Sequence, residues 1–452
     1  MNGISDNELV DFFSFLRFPS VSANPEHAGD VRRCAEWLAH WLEARGLAAS
    51  LRETGGAPVV VATNPHRPDI PTVMLYGHYD VQPVEPLEQW ESPPFEPEIR
   101  DGFVFARGAT DNKGQTFSHL IGLQRWLATE DLPVNLTILI EGEEEIGSPH
   151  LGAFVRAHRE ELACDVAVIS DTSMVEPGWP ALTLGLRGIA CFEVTVEGPP
   201  ADLHSGMFGG ATPNPAEALC RILGNLHDSQ GRIAIPGLYD DVLEVPEVEL
   251  KAWQSLPWQR AWFEQATGLP PTAGEVERTV LERVWARPTA EINGLTSGHQ
   301  GAGSKTIIPS RASAKLSFRL APAQKPDDVA RKVIRWFEEQ YAAAGMRGNI
   351  SFDHAGDPFY TAPDDPHISA AREALEEVFG RAPALTREGL SIPVAALFQK
   401  ELEIPVVLAG LGLPDCRAHS PNESYPLEHL RLGAEVFAAM IRRFAQIRPA
   451  DS

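Results

Sequence analysis

Thr72-Val73-Met74-Leu75-Tyr76-Gly77-His78-Tyr79-Asp80-Val81 is an apolar run that stops at a glycine and then presents an imidazole and, two residues on, a carboxylate. A run flanked by Pro71 and Gly77, without polar alternation, reads as a strand buried on both faces, as in a parallel sheet. In open α/β sheets ligands gather at the carboxyl ends of such strands, where His78 and Asp80 fall. His-x-Asp is a short pattern. Its weight comes from three further strand-like runs that end the same way.

Val134 to Ile140 leads into Glu141-Gly142-Glu143-Glu144-Glu145, acids that must either spread into solvent or gather around a cation. Val166 to Ser170 ends in Asp171. Pro405 to Ala409 is followed by a glycine-rich loop carrying His419. Arg107-Gly108-Ala109-Thr110-Asp111-Asn112-Lys113-Gly114 precedes a helical stripe of Phe117, Leu120, Ile121, Leu123 and Leu127; alone, Asp111 is an ordinary capping carboxylate. Together His78, Asp111, Glu145, Asp171 and His419 lie at strand ends or in the loops beyond them. Two imidazoles and three carboxylates suit two borderline divalent ions that share one carboxylate. Such a thiolate-free set takes Zn²⁺, Mn²⁺ or Co²⁺, and spacing does not choose between them. A carboxylate left unligated beside them would act as general base toward water.

The formal net charge is -24, from 62 acidic against 38 basic residues. That balance argues against nucleic acid and anionic membranes as partners, since both require a cationic face. No run is long enough for a membrane span, and Met1 to Phe18 lacks the basic start and apolar core of a secretion signal. Five cysteines, an odd number with no C-x-x-C pair, point to free thiols in a reducing cytoplasm.

A chain of 452 residues exceeds one compact core. From about Gly188 the pattern alternates, as in Cys191 to Val196 and Ala312 to Arg319, which reads as half-exposed antiparallel strands. Helical patterns at 216–226 and 327–344 would cover one face. The expected architecture is α/β: a catalytic domain with a mixed, mostly parallel sheet flanked by helices, over 1–187 and 358–452. An α+β domain is inserted at 188–357, with a helical insertion near 242–285 whose tryptophans (Trp253, Trp258, Trp262, Trp285) read as packing anchors.

At this point the motifs resemble a known family. Gly77-His78-Tyr79-Asp80-Val81, Gly108 to Gly114, Glu141 to Glu145, Ser170-Asp171 and Ala418-His419-Ser420 resemble the M20 metallopeptidases. Asp202-Leu203-His204-Ser205-Gly206, Lys305 to Pro309 and Arg387 to Pro393 are similar to the carnosinase and cytosolic non-specific dipeptidase branch. The resemblance implies hydrolysis of the amide bond of dipeptides or short peptides by two metals. His78, Asp111 and Asp171 would hold one ion, and Asp111, Glu145 and His419 the other. Glu144 would activate the water that bridges them, with Asp80 behind His78. It also implies a cis peptide at Asp111-Asn112 and a homodimer formed through the inserted domain, which acts as a lid. There His204 would reach the partner's site to stabilise the oxyanion, and Arg319, Thr306 and Ser391 would bind the substrate carboxylate. Leu390 departs from the branch pattern, in which a second glycine often precedes that serine. Glu143 leaves the register of base and ligand open by one position. An N-acyl-amino-acid deacylase using the same site is the alternative activity. His66, His119, His150, His299 and His429 fall outside the pattern and are expected in surface or satisfied polar roles.

Overall fold

The computed structural model describes residues 3–389 and 392–447. The chain forms two compact units, one from 1–184, 361–386 and 393–452, the other from 185–360 and 387–392.

In the first unit the Thr72–His78 strand lies inside a mixed sheet, parallel to Asn135–Glu141 on one side and to Val166–Ile169 on the other. Val406–Leu408 continues the parallel run beside Val166–Ile169. Val59–Thr63 and Ala48–Arg52 add antiparallel strands beyond Asn135–Glu141. Every residue of Asn135–Glu141 is buried, which is why the run shows no alternation. The helix Lys113–Leu127 packs against Leu427–Phe444 and over the Thr72–His78 strand. Near the amino end of the chain Phe12 stacks on Phe117 at 5.6 Å. All four strand-like runs of this sheet therefore deliver their carboxyl ends to one edge.

The second unit is antiparallel. Its sheet runs Thr289–Ser297, Arg311–Leu320, Gly188–Glu197, Arg347–Gly356. Inward residues of Gly188–Glu197 alternate strictly with half-exposed ones. Phe192, Val194, Leu316 and Phe318 form a core with Leu219 and Ile222 of the Pro215–Gly224 helix and Val333 and Phe337 of the Pro326–Ala343 helix. Within the insertion, Trp253 and Trp258 pack edge-on to Trp285 at 5.2 and 5.7 Å, whereas Trp262 is 44% exposed and meets only its neighbour Phe263 edge-on, at 4.9 Å, among the described aromatic rings. Glu249 of the Glu247–Gln254 helix is fully buried. It accepts two bonds of 2.7 Å from Arg387 and one of 2.8 Å from the Tyr360 hydroxyl. Among the described residues no helix is long and apolar enough to cross a membrane.

Candidate metal centre

His78 closes its strand, Glu141 closes the next, and Asp171 follows Val166–Ile169 by two residues. Asp111 precedes the Lys113–Leu127 helix, and the Asp111-Asn112 peptide is cis. His419 stands in the loop after Val406–Leu408 with φ +60°. Chain topology thus gathers His78, Asp111, Asp171, His419 and Glu145, four residues beyond Glu141, from stretches far apart in sequence.

They form two groups. Ligand atoms of His78, Asp111 and Asp171 lie within 4.8 Å of one another, and so do those of Asp111, Glu145 and His419. Asp111 joins them. Its Oδ1 is 3.2 Å from His78 Nε2, and its Oδ2 is 2.8 Å from His419 Nε2. Asp171 Oδ2 lies 3.6 Å from His78 Nε2, and Glu145 Oε2 lies 3.3 Å from His419 Nε2. Glu144 stands outside both groups, its Oε2 4.0 Å from His78 Nε2. Glu143 turns away and pairs with His150 Nδ1 at 2.8 Å. The acidic run leaves the strand as a 3-10 turn over Glu144–Ile146, so alternation does not put Glu143 and Glu145 on one face.

A second layer holds these side chains, and sequence reading identified only part of it. Asp80 is fully buried and lies 3.3 Å from His78 Nδ1. Its two oxygens also accept from the amides of Glu144 and Glu145, at 3.2 and 3.1 Å. Asp80 therefore aims the imidazole with its main-chain carbonyl, 3.1 Å from His78 Nδ1, and its carboxylate, and that carboxylate sets the turn that presents both glutamates. Gln82 Nε2 donates to Glu145 Oε2 at 2.8 Å. Asn112 Nδ2 donates to Asp171 Oδ1 at 2.8 Å, while its Oδ1 accepts from Thr116 Oγ1. Glu423, fully buried, accepts from the amides of Gly108, Thr110 and Asp111 at 2.8–3.0 Å and from Arg107 Nη1 at 2.8 Å. Gly77 leaves the space this layer needs, since a Cβ there would lie 2.2 Å from Thr116 Oγ1. Asn112 lies inside one of the motifs and Glu423 just beyond another, but only long-range contacts reveal what they do.

Replacing Asp80 by asparagine keeps the shape but removes the charge and one acceptor. Metal affinity is expected to fall about 10–100-fold, as when outer partners of ligating histidines are lost. A chelator-competition titration checks this, and unchanged affinity would assign Asp80 no part in the centre.

The electrostatics fit divalent cations. Burial opposes charge on His78, yet Asp111, Asp171 and Asp80 outweigh it and hold its proton well above the usual imidazole range. Asp111 and Glu145 raise His419 to about 10. Burial is the main cause that pushes Glu144, Glu145 and Asp171 up, reinforced by the neighbouring carboxylates. Without cations, protons are favoured both on the two imidazoles and on these crowded carboxyls. Cations at the same points would neutralise the same oxygens and leave the imidazoles neutral, as ligands must be. Two orphaned atoms aim at those points: His78 Nε2, with carboxylate oxygens nearby but no hydrogen bond, and Glu145 Oε1. The residues present fit two ions.

In the second unit His204 caps the short Ser205–Phe208 helix, its Nδ1 accepting from the Gly206 amide at 3.0 Å. Thr306 adjoins it, since Ser205 N donates to Thr306 O at 3.0 Å. Arg319 lies opposite Ile189 on the central strands. Among the described residues no hydrogen bond joins Arg319 to His204 or Thr306. Ser391 and Leu390 lie outside the described residues. Of the remaining histidines, His119 and His429 take buried, hydrogen-bonded polar roles. His119 Nε2 meets Ser170 Oγ at 2.6 Å, and His429 Nδ1 meets Leu411 O at 2.7 Å.

An α/β unit whose sheet edge carries paired His/carboxylate clusters around one shared aspartate is a dinuclear metal hydrolase by class. The chain belongs to peptidase family M20/M25/M40, whose sequence profile matches residues 74–443. It is 32% identical over 450 residues to the Cys-Gly metallodipeptidase of Schizosaccharomyces pombe, covering 96% of this chain and 94% of that protein. It is 33% identical over 395 residues to the human Beta-Ala-His dipeptidase, covering 86% of this chain and 78% of that protein. Among solved structures, an M20 family metallo-carboxypeptidase from Sulfolobus solfataricus superposes with a TM-score of 0.82 at 32% identity, over 98% of this chain and all of that one.

Proposed function

We propose that the protein is a cytoplasmic, Zn²⁺-dependent metallodipeptidase that acts on free dipeptides or similarly short peptides. The observation that carries this is the Asp111 carboxylate, one oxygen facing each histidine. The dipeptidase names of its relatives support the substrate class, and five free cysteines support a reducing compartment.

Two divalent ions would supply Lewis acidity at these clusters, toward the attacking water and the scissile carbonyl. The rest is work for the chain. Glu144, adjacent to the clusters but outside both, takes the proton from the water and returns it to the leaving amine. Burial supports this role by favouring its protonated form between the two transfers. Asp80 keeps His78 in the tautomer that offers Nε2. His204 donates to the oxyanion across a homodimer. With Nδ1 engaged by Gly206 its proton sits on Nε2, and the side chain is exposed. Arg319, with Thr306 and Ser391, binds the carboxylate of the peptide.

The experiment is hydrolysis of dipeptides and their N-acetyl analogues by chelator-treated protein, with Zn²⁺, Mn²⁺ or Co²⁺ restored one at a time. Metal-dependent cleavage confined to free-amine dipeptides is the expected result and names the working ion. Preference for the N-acetyl compounds would move the enzyme to an N-acyl-amino-acid deacylase, and release of C-terminal residues from longer peptides would move it to a carboxypeptidase. A mixture of His204→Ala and Glu144→Gln dimers should regain activity on subunit exchange if His204 acts in trans.

A further inference from the structure

Four arginines are buried among the described residues: Arg107, Arg187, Arg287 and Arg387. Three carry a carboxylate at 2.7–2.8 Å: Arg107 with Glu423, Arg287 with Glu275 and Arg387 with Glu249. Arg187, only 9% exposed, has none. Its Nε lacks any hydrogen-bond partner, and its Nη1 makes only the long contacts of 3.4 Å to Thr289 Oγ1 and 3.5 Å to Arg283 O. The acid that bears on it electrostatically, Glu291, is no ion-pair partner, and the other charge in its field is a second cation, Arg319. A buried charge without a partner is strongly unfavourable for folding. Such an exception asks for a reason.

The register places the two arginines together. Arg319 lies opposite Ile189 on one neighbour and opposite Thr289 on the other. Ile189 and Thr289, the cross-strand neighbours of Arg319, share with it the face turned away from Phe318 and Ala190, and Arg187, the residue just before the Gly188–Glu197 strand, reaches that face through its Nη1 contact with Thr289 Oγ1. Gly389 closes over the guanidinium, since a Cβ there would lie 2.9 Å from Arg187 Nη2. Burial and the neighbouring Arg319 both pull the Arg187 guanidinium down, to about 10. Glu291, opposite Ser317 on the same face, forms no ion pair with either arginine among the described residues, so the two cations are arranged for an anion brought from outside.

We propose that Arg187 is a second, buried cation beneath Arg319, and that the two form a seat for the terminal carboxylate of the substrate. The inference rests on the reading of Arg319 as a carboxylate binder. It holds equally for a dipeptide, an N-acyl amino acid or the end of a longer peptide, because all three present a free carboxylate. Arg187 is a binding and specificity residue here; it touches none of the reacting atoms.

The test is Arg187→Met, assayed on a dipeptide and on the same dipeptide as its C-terminal amide. The expected result has two parts. KM for the free acid rises about tenfold or more, the worth of a charged hydrogen bond, while the amide is unaffected. Meanwhile Tm rises by a few degrees, because an uncompensated buried charge has been removed. Arg187→Lys should recover part of the preference for the acid. A fall in Tm, or an equal loss on acid and amide, would overturn the proposal and make Arg187 structural. Arg319→Met in parallel separates the two readings. If it leaves the acid-to-amide ratio unchanged, the carboxylate role of Arg319 fails. If it lowers that ratio and Arg187→Met does not, only the role of Arg187 fails.

Discussion

Glu144→Gln protein should bind its full complement of two metals and turn over about 10²–10⁴-fold more slowly, the usual worth of a positioned general base. The geometry sets this expectation. The Glu144 carboxylate belongs to neither cluster, yet it lies within 4.0 Å of His78 Nε2, so it is near the reacting water without being needed to hold an ion. Its backbone amide is fixed by Asp80, so the amide side chain of glutamine would occupy the same position. Glutamine differs in one respect: it neither accepts nor returns a proton in this range. Loss should therefore appear in kcat with KM nearly constant, the signature of an interaction made only in the transition state. Metal content by elemental analysis, beside steady-state kinetics on one dipeptide, gives the answer. Turnover close to the native rate would remove Glu144 from the mechanism, and loss of metal with loss of rate would make it a ligand instead.

Much of this centre could be read from the sequence because a parallel sheet writes itself plainly. Its strands are buried on both faces, so they stand out as unbroken apolar runs, and the residues just beyond each run sit at the functional edge. His78, Asp171 and the Glu141–Glu145 segment were found in this way. The order within the acidic run was not legible, because it depends on a 3-10 turn that Asp80 sets through two amides from 64 and 65 residues away. Glu423 was less legible still. In sequence it is one more acid in a loop after His419, and its role exists only through bonds to residues 312 to 316 positions earlier. Gln82 and Arg187 share that difficulty. Each is defined by which partner it meets or lacks, and that is a property of the folded chain. The second unit was readable for the opposite reason. One face of its sheet is uncovered, so alternation survives in the sequence of Gly188–Glu197 and Arg311–Leu320.

The largest effect is expected at Asp111. Among the described residues no other belongs to both clusters, so Asp111→Ala reduces each to two protein ligands at once: His78 with Asp171, and Glu145 with His419. Two ligands are fewer than the three that catalytic sites of borderline metals retain beside an open position. Metal content should fall from two ions per chain to less than one, and peptidase activity should vanish with it. Stability offers a check that does not depend on turnover. An ion that binds only the folded chain stabilises it by RT ln(1 + [L]/Kd), about 2.7 kcal/mol at a hundredfold excess over Kd, so added Zn²⁺ should raise the Tm of the native protein clearly. The same addition should leave the Tm of Asp111→Ala nearly unchanged. Losing a ligand to one ion alone, as in Asp171→Ala or His419→Ala, should instead leave a reduced but measurable response. If Asp111→Ala kept one tightly bound ion and half of the stabilisation, the shared carboxylate would be serving a single metal, and the dinuclear arrangement proposed for this chain would have to be redrawn.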